Sequence, residues 1–305
     1  MADSFSDYLE LLSARSIVSG GLIAGGRWAI EFPASSQIKF WGIQRGGCWL
    51  LKGPAEAAVR VEEGDVFLLC APRSHILASD VTALPVPLDE VLTGRTGGMA
   101  RHGEGDEFFM IGGKVELDAD HGRLLLDTLP PLIHVSGSSA EAPTLKWLLK
   151  ELLRERENDL PGSETASTQM AHLMFIHILR AYFATHETVS ASWLRAASDQ
   201  RLAPALRLMH GEPGRAWGLA ELAKASAMSR AGFAAYFRAV AGVAPTAYLT
   251  QWRMLLAMRM LRDTRQSLGE LADRLGYASE SSFSNAFKRV VGQAPRVFRD
   301  ALERR

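Results

Sequence analysis

The sequence predicts an α+β protein whose strands come first and whose helices come last. Three observations predict this class. Short apolar stretches separated by glycine and proline fill residues 1 to about 135, apolar residues follow a helical spacing from about residue 144, and the last hundred residues repeat one helical pattern. With 305 residues, 47% of them hydrophobic and 22% charged, the chain is long enough for two domains that each bury a core.

The N-terminal part, residues 1–140, is predicted to form a small β-barrel or β-sandwich. Its apolar stretches include residues 28–32, 48–51 and 66–71, and glycine or proline punctuates the segments between them. Many short strands at close spacing are typical of these folds. The first domain is therefore expected to be β-rich.

Residues 141–199 are predicted to form a helical hairpin. Pro161 and Gly162 separate two helical segments, 144–157 and 165–183. The first segment carries five leucines at helical spacing: Leu145, Leu148, Leu149, Leu152 and Leu153. Because a lone surface helix needs fewer leucines, we expect this stripe to contact a second subunit in a homodimer. The alternative is that the β-rich part covers the stripe.

Charge divides the chain at the same point as secondary structure. The 34 Lys and Arg residues balance the 34 Asp and Glu residues overall. Residues 1–140 nevertheless carry 11 basic and 18 acidic side chains, residues 141–200 carry 6 and 8, and residues 201–305 carry 17 and 8. A basic last third beside an acidic remainder predicts that the C-terminal part binds a polyanion.

Cysteine usage and hydropathy predict a soluble, cytoplasmic protein. Cys48 and Cys70 are too few for an extracellular disulfide framework. No apolar run reaches the roughly 18 residues of a membrane span. The first ten residues are polar and acidic, unlike an export signal. We therefore expect no membrane partner.

The last hundred residues contain two copies of one pattern, offset by 49 or 50 positions. LAELA in the first copy matches LGELA in the second, and the pair Phe233 and Phe237 matches Phe283 and Phe287. Each copy predicts two short helices joined by a tight turn. The second helices begin at the N-caps Ser229 and Ser279 and end at the glycines Gly242 and Gly292. One residue is inserted between the two helices of the second copy.

Paired helix-turn-helix units in a basic segment predict DNA binding, with the second helix of each unit in the major groove. Between them, residues 245–264 predict one helix of about 17 residues, roughly 25 Å long. Such a helix can hold two recognition helices about one turn of DNA apart, on the order of 34 Å. A generic helical array is the alternative, but arrays normally need three or more units.

Residues 200–305 resemble the C-terminal DNA-binding domain of AraC/XylS-type transcription regulators. The matching segments are 219–261 and 268–299, and the run GYASESSFSNAFKR in the second is especially typical. The resemblance covers the whole of that domain. It implies binding to double-stranded DNA, RNA polymerase as a partner, and activation as the usual outcome. One departure is Ala227, where the family often has glycine in the first turn.

The exposed face of each second helix is the predicted DNA-reading surface, because the phenylalanines occupy the inner face. The resemblance assigns base reading to Ala231, Ala234, Ala235, Ser281, Ser284 and Asn285. Alanine can only pack on thymine methyl groups, whereas Asn285 can form two hydrogen bonds with adenine. The basic residues of these helices are predicted to contact phosphates: Arg230, Arg238, Lys288 and Arg289.

Residues 20–135 resemble the cupin-like sensory domain of one branch of AraC-type regulators. The matching segments are 40–51, 64–80, 84–92 and 129–135. The resemblance implies a small-molecule effector inside the barrel, and the candidate ligand-binding residues are Trp41 and His75. Trp41 stands where related sensors often carry histidine, so His75 is alone at a motif position. Since metal-binding cupins use several histidines and a carboxylate, we expect no metal and no cofactor.

The sequence thus predicts a one-component transcription regulator that is not an enzyme. Three alternatives remain open. A metal-dependent cupin enzyme fused to a DNA-binding domain would need further ligands, and the spacing of His102, His121 and His134 does not support them. A redox sensor would use Cys48 and Cys70, although the branch often has its cysteine where Ile111 stands here. An architectural DNA binder would be indifferent to base sequence and metabolites.

Overall fold

The computed structural model describes residues 3–12, 14–53, 56–93, 98–117, 122, 125–126, 128–158, 160–185 and 192–304. Contacts divide the chain into two compact units. Ala14–Glu187 form one, here called the sheet unit, and Met1–Ser13 with Thr188–Arg305 form the other, the helical unit. The hairpin thus groups with the sheets and residues 1–13 with the C-terminal helices, which differs from the division expected at residues 140 and 199. The predicted α+β class is confirmed.

The first helix, α1 (Ser4–Leu11), belongs to the helical unit. The described elements of the sheet unit, in chain order, are β1 (Arg15–Ala24), β2 (Ala29–Phe32), β3 (Ile38–Arg45), β4 (Gly47–Leu51), β5 (Val59–Glu62), β6 (Val66–Leu69), β7 (His75–Ala78), β8 (Val86–Pro87), α2 (Leu88–Leu92), β9 (Met99–His102), β10 (Phe108–Glu116), β11 (Leu132–Val135), α3 (Ala142–Asn158) and α4 (Ser163–Thr185).

The strands form two sheets, with the orders β11-β6-β3-β10-β1-β9 and β5-β4-β7-β2-β8. Their pairings are antiparallel except β1 with β9 and β2 with β8. Among the described residues no ladder joins one sheet to the other, so of the two predicted forms, barrel or sandwich, the unit has the two separate sheets of the sandwich form. The β-rich character of the unit is confirmed.

The core of the sheet unit lies between the two sheets. Leu22, Ile43 and Met110 come from the first sheet, and Ile30 and Leu77 come from the second; all belong to one buried cluster. Because successive side chains of a strand point to opposite faces, alternate residues of each strand reach this core. The stretches that looked apolar in the sequence are therefore the inner strands of a two-sheet structure.

The helical hairpin covers the outer face of the first sheet, which corrects the predicted dimer contact. Leu145, Leu148, Leu149 and Leu152 are buried within the chain, and Leu153 is half-buried. α3 packs on α4 and β3, while α4 packs on β1, β6, β10 and β11. A Cβ at Gly42 of β3 would overlap the Leu149 side chain, so glycine allows the helix to lie close to the sheet. These four leucines have no free surface for a second subunit.

The described helices of the helical unit, after α1, are α5 (Trp193–Ser198), α6 (Ala203–Gly211), α7 (Leu219–Ala225), α8 (Arg230–Ala241), α9 (Pro245–Asp263), α10 (Leu268–Arg274), α11 (Glu280–Val291) and α12 (Pro295–Glu303). α7 with α8 and α10 with α11 are the two predicted helix-turn-helix units. α9 joins them with 19 residues, close to the predicted 17.

The N-terminal helix α1 is packed on α5, α6 and α9. Tyr8 is only 2% exposed, and its ring centroid lies 4.1 Å from that of Trp193 and 4.8 Å from that of Trp252. Next to it, Asp7 Oδ2 lies 2.9 Å from Nδ1 of His210, whose ring stacks on Trp252. The first residues of the chain therefore complete the core of the last hundred.

Candidate functional site

The second helices of the two helix-turn-helix units, α8 and α11, are built alike. Phe233 and Phe237 of α8 are fully buried, and so are Phe283 and Phe287 of α11. Each pair is continued by one ring from the following helix. The Phe237 and Tyr248 centroids are 5.4 Å apart, and the corresponding Phe287 and Phe298 centroids are 5.6 Å apart. This shared core fixes which face of each helix points to solvent.

Local capping fixes where these helices begin and end. The Ser229 hydroxyl accepts a hydrogen bond from the Gly232 N–H at the start of α8. Ser279 accepts one from the Ser282 N–H at the start of α11, and the Ser282 hydroxyl in turn accepts from the Ser279 N–H. Both helices end at glycines with left-handed φ, 76° at Gly242 and 89° at Gly292. The predicted boundaries are confirmed.

The two turns share one demanding backbone conformation. Ala227 in the first turn has φ 52°, and it is the sole non-glycine residue with positive φ in the described part of the chain. The second turn has Gly276 there, with φ 75°. One residue separates Ala227 from the N-cap Ser229, whereas two separate Gly276 from Ser279. The insertion seen in the sequence therefore lies between the left-handed residue and the N-cap.

The residues that the resemblance assigned to base reading lie on the outer faces of α8 and α11. Ala231, Ala235, Ser281 and Asn285 are exposed, and Ala234 and Ser284 are half-buried. The predicted phosphate-contacting residues, Arg230, Arg238, Lys288 and Arg289, are all exposed. Within the described residues, none of these four forms an ion pair. Their charges are thus available to an external anion.

The sheet unit contains a cavity of about 510 Å³. Its walls come from β1, the end of β2 with the segment after it, β3, β7, α2, β9 and β10. The apolar side chains of the lining include Leu22, Phe32, Trp41, Leu88, Leu92, Ala100 and Met110, and the described polar ones are Ser19, Ser35, Ser36, Gln37, Lys39 and His75. Both predicted ligand-binding residues, Trp41 and His75, line it. The other wall residues could not be chosen from the sequence, because they meet only through strand pairing.

Neighbouring groups hold the rings of Trp41 and His75 in place. The Phe32 ring stacks on His75 with centroids 4.9 Å apart and meets Trp41 edge-on at 5.1 Å. Trp41 pairs with Gly112 of β10, where a Cβ would overlap the indole. Burial lowers the pKa of His75 to about 4, although a hydrogen bond with the backbone of Arg73 opposes this shift. His75 is therefore neutral at pH 7.

The histidines that the structure describes do not assemble into a metal centre. His134 Nε2, on β11 of the first sheet, lies 2.7 Å from Oδ2 of Asp65, whereas His75 is on β7 of the second. His121 lies outside the described residues. His75 is the one histidine among the described lining residues, which include no carboxylate or thiol. In the described part of the chain, no three His, Cys, Asp or Glu side chains are grouped so as to hold a metal ion.

The two cysteines are unpaired and buried. Burial raises the pKa of the Cys48 thiol to about 12, and that of Cys70 to about 12. Since the thiolate is the reactive species, neither side chain is suited to fast oxidation at neutral pH. The geometry therefore disfavours the redox alternative.

The sequence did not point to the cluster around Tyr8 and His210. Its members lie far apart in the chain, in α1, α5, α6 and α9, and each is an ordinary aromatic residue in an amphipathic helix. Only the high aromatic content of residues 193–252 was a possible signal.

None of the helices in the described segments combines the length and hydropathy needed to span a bilayer.

Known proteins match both units. Residues 3–184 match a family described as cupin, and residues 222–301 match a helix-turn-helix domain. A putative AraC-like transcription regulator of Streptomyces lividans is 39% identical over 297 residues, covering 97% of this chain and 98% of that protein. The HTH-type transcriptional regulator AlkR of Acinetobacter baylyi is 29% identical and covers 77% of this chain and 79% of its own.

Among solved structures, the chain is similar to the DNA-binding domain of AdpA, a global transcriptional factor solved in complex with a target DNA. That likeness has 29% identity and a TM-score of 0.33, and it covers 35% of this chain and 96% of that one. The family assignment depends on the sequence matches, which span nearly the whole chain. The protein belongs to the AraC-type DNA-binding transcription regulators that carry an N-terminal cupin domain.

Proposed function

We propose that α8 and α11 read the base sequence of an operator and that a small molecule in the cavity of the sheet unit controls this binding. One observation carries the DNA-binding half: the buried phenylalanine pairs turn every residue assigned to DNA toward the outer face of its helix. With 19 residues, α9 spans about 28 Å, so it can hold the two helices about one turn of DNA apart, roughly 34 Å.

The two recognition helices have different chemistry. α8 offers the methyl groups of Ala231, Ala234 and Ala235, which can contact thymine methyl groups but form no hydrogen bonds with bases. α11 offers the amide of Asn285 as well as the hydroxyls of Ser281 and Ser284. The second helix-turn-helix unit therefore supplies most of the hydrogen-bonded specificity, while Arg230, Arg238, Lys288 and Arg289 position both helices on phosphates.

Selection of bound fragments from a random DNA pool, followed by binding measurements on two variants, tests this assignment. Asn285→Ala is expected to relax base preference at one position without changing the salt dependence. Arg238→Ala is expected to weaken binding to all sequences and to flatten the slope of log K against log salt by about one unit. Each variant is the control for the other.

Equal losses on selected and scrambled DNA for Asn285→Ala would contradict the base-reading role. An unchanged salt slope for Arg238→Ala would contradict the phosphate contact. If the wild-type protein enriches no sequence at all, the architectural alternative is correct instead.

The effector half of the proposal is supported by the cavity itself, whose volume is within the range of about 300–1,000 Å³ typical of ligand sites. An effector that binds one conformation of the protein more tightly shifts the population toward it and so changes DNA affinity. Genomic fragments captured by the protein identify neighbouring genes, whose metabolites can then be assayed for an effect on DNA affinity. No effect of any such metabolite would contradict control through the cavity.

Self-association remains part of the proposal, although not through the leucine stripe. On the hairpin, Trp147 of α3 is 57% exposed and Leu173 of α4 is 44% exposed, which is unusual for such large apolar side chains. A cytoplasmic homodimer that activates transcription through RNA polymerase is the arrangement that the family resemblance implies. Sedimentation equilibrium of the full chain tests the dimer.

The proposed regulator carries out no covalent chemistry. His75 has the Phe32 ring as its stacking neighbour rather than further metal ligands, which supports a binding role over catalysis. Metal analysis of the purified protein tests the enzyme alternative. Stoichiometric bound metal would favour the enzyme.

A further inference from the structure

An arginine of the connecting helix contacts both helix-turn-helix units. Arg253 lies in the middle of α9, which packs on α8 and on α11. Its Nε donates to the Pro213 carbonyl at 2.6 Å, and its Nη2 donates to the Arg215 carbonyl at 3.0 Å. Its guanidinium carbon also lies 5.6 Å from the centroid of the Tyr277 ring. One side chain therefore contacts the segment before α7 and the turn before α11.

The segment before α7 is held to the first unit. Nη2 of Arg215 lies 2.6 Å from Oε1 of Glu221 in α7, and its guanidinium carbon lies 4.0 Å from the centroid of the Trp217 ring. Trp217 is buried, and its Nε1 donates to the Glu212 carbonyl at 3.0 Å. A movement of this segment therefore moves α7, and with it the helix α8 that packs on α7.

The turn before α11 is held to the second unit. The Tyr277 N–H donates to the Ala272 carbonyl of α10 at 2.8 Å. The Tyr277 ring meets the Phe283 ring of α11 edge-on, with centroids 5.7 Å apart. Since Phe283 is fully buried under α11, a movement of the turn is passed to the second recognition helix.

Two glycines let the backbones of the two units touch. Gly214 lies between the two carbonyls that Arg253 binds, and a Cβ there would meet the carbonyl oxygen of Arg274 at 2.5 Å. A Cβ on Gly276 would overlap the carbonyl of Gly214. We call this contact, residues 213–215 against 274–277 with Arg253 across it, the junction.

We propose that Arg253 is a positioning residue for DNA binding, which holds α8 and α11 at one separation so that the protein accepts one spacing between its two subsites. The subsites are the base sequences that the two helices contact. The inference rests on the proposed function, because it takes both helices to read bases. A guanidinium that donates to two carbonyls at once is fixed in direction as well as in distance. Because the helices then need no ordering on binding, the junction also contributes to affinity.

One base pair inserted between the subsites tests the junction, since it moves one subsite by about 3.4 Å and turns it by about 35° relative to the other. The protein can bind such DNA by leaving one subsite uncontacted or by opening the junction. With the junction intact both routes are costly, and wild type is expected to lose affinity by about 30-fold or more. Without the arginine the second route breaks no hydrogen bond of Arg253, so we expect this loss to be smaller by about tenfold.

Fluorescence anisotropy with the full chain measures the ratio of the two affinities, for the selected operator and for the same DNA with the insertion. Arg253→Ala removes both hydrogen bonds, and Gly214→Ala pushes the two backbones apart without changing a charge; each is expected to lower the ratio about tenfold. Arg253→Lys keeps the charge but not the fork of donors, so it is expected to resemble Arg253→Ala. Arg259→Ala is the matched control, because it removes an exposed arginine of the same helix that pairs with Asp263, and it is expected to keep the wild-type ratio.

A purely structural role would weaken binding to both DNA molecules alike and leave the ratio unchanged, which would overturn the proposal. A wild-type protein that tolerates the insertion, or a wild-type ratio for Arg253→Lys, would overturn it too. Thermal unfolding identifies any variant that fails to fold, and the remaining junction variants then decide.

Failure of the proposed function gives a different result. If selection enriches no sequence with two subsites, base reading by both helices is wrong, and this inference is wrong with it. If selection succeeds and Asn285→Ala relaxes one position of the α11 subsite, but the ratio is the same in wild type and in the junction variants, only the role of Arg253 is refuted.

Discussion

Ala227 occupies the one position where the first helix-turn-helix unit requires a conformation that alanine disfavours. Its φ of 52° lies in the left-handed region, and the N–H of Met228 donates to the carbonyl of Ala223 across the same turn, at 2.9 Å. The side chain is exposed, so replacing it removes no buried contact. Ala227→Gly therefore isolates the backbone cost of the turn.

The expected gain follows from two opposing effects. A left-handed conformation costs a residue with a Cβ about 1–2 kcal/mol, and glycine avoids this cost. Glycine also gives the unfolded chain more freedom, which lowers stability by roughly 0.4–1 kcal/mol. We expect Ala227→Gly to stabilise the helical unit by about 0.5–1 kcal/mol. For a unit of this size, that raises the melting temperature by about 2–6 °C.

Differential scanning calorimetry of the full chain measures the change. The transition of the helical unit is identified as the one that shifts upward when selected operator DNA is added, because a ligand stabilises the unit that binds it. Comparing wild type and Ala227→Gly without DNA then gives the difference in melting temperature for that transition.

Two substitutions control for the general effects of glycine and alanine. Ala239→Gly lies on the exposed face of α8 in right-handed conformation and is expected to lower stability by up to about 1 kcal/mol. Gly276→Ala introduces the left-handed cost into the second turn, where its Cβ would also overlap the carbonyl of Gly214, so we expect a loss of about 2 kcal/mol or more. If Ala227→Gly is neutral or destabilising while both controls behave as expected, the strain argument is refuted.

Two further predictions concern the buried side chains that the functional surfaces depend on. Tyr8→Ala is expected to destabilise the helical unit by about 3–5 kcal/mol, because it removes the ring that packs against Trp193 and Trp252. Calorimetry of the DNA-responsive transition measures the loss. Glu10→Ala is the control, because Glu10 lies on the same helix and is exposed. An unchanged transition for Tyr8→Ala would show that α1 contributes nothing to that core. The pKa of His75 is about 4 in the folded protein and 6.5 ordinarily, so its contribution to stability is complete above pH 6.5 and is lost as the pH falls toward 4. When the pH falls from 7 to 5, the free energy of unfolding of wild type is expected to decrease by about 2 kcal/mol more than that of His75→Phe. Urea titration at each pH measures both proteins. If the two free energies of unfolding decrease in parallel, His75 is not buried in the neutral state.

The repeated helix-turn-helix units could be predicted in detail because their determinants are local. The capping box of Ser267 and Glu270 is formed, with the Ser267 N–H donating to Glu270 Oε2 at 2.7 Å. Helical spacing of phenylalanines likewise places them on one face without reference to any distant residue. Even the difference in turn length between the copies is visible as a one-residue insertion. The left-handed conformation of Ala227, in contrast, could be recognised only from the backbone geometry of the structure.

For the sheet unit, only the structural class could be predicted from the sequence. Short strands and turns are local, but whether two sheets close into a barrel depends on which edges pair, and those pairings join residues tens of positions apart. The same limit applies to the cavity. Trp41 and His75 were identified through the family resemblance, whereas Phe32 and Met110 line the space because of strand order.

The amino-acid sequence by itself determined the α+β class, the helix boundaries of the helix-turn-helix units and the chemistry of their exposed faces, since helical periodicity and capping act within a few residues. Only the tertiary structure decided what each apolar stripe packs against. The leucines of α3 turned out to cover a sheet rather than a second subunit, and Tyr8 turned out to fill the core of the C-terminal helices. The hydrophobic effect is non-directional and does not depend on how far apart two residues are in the sequence. An apolar pattern therefore shows that a helix or strand face is buried, but not which element buries it.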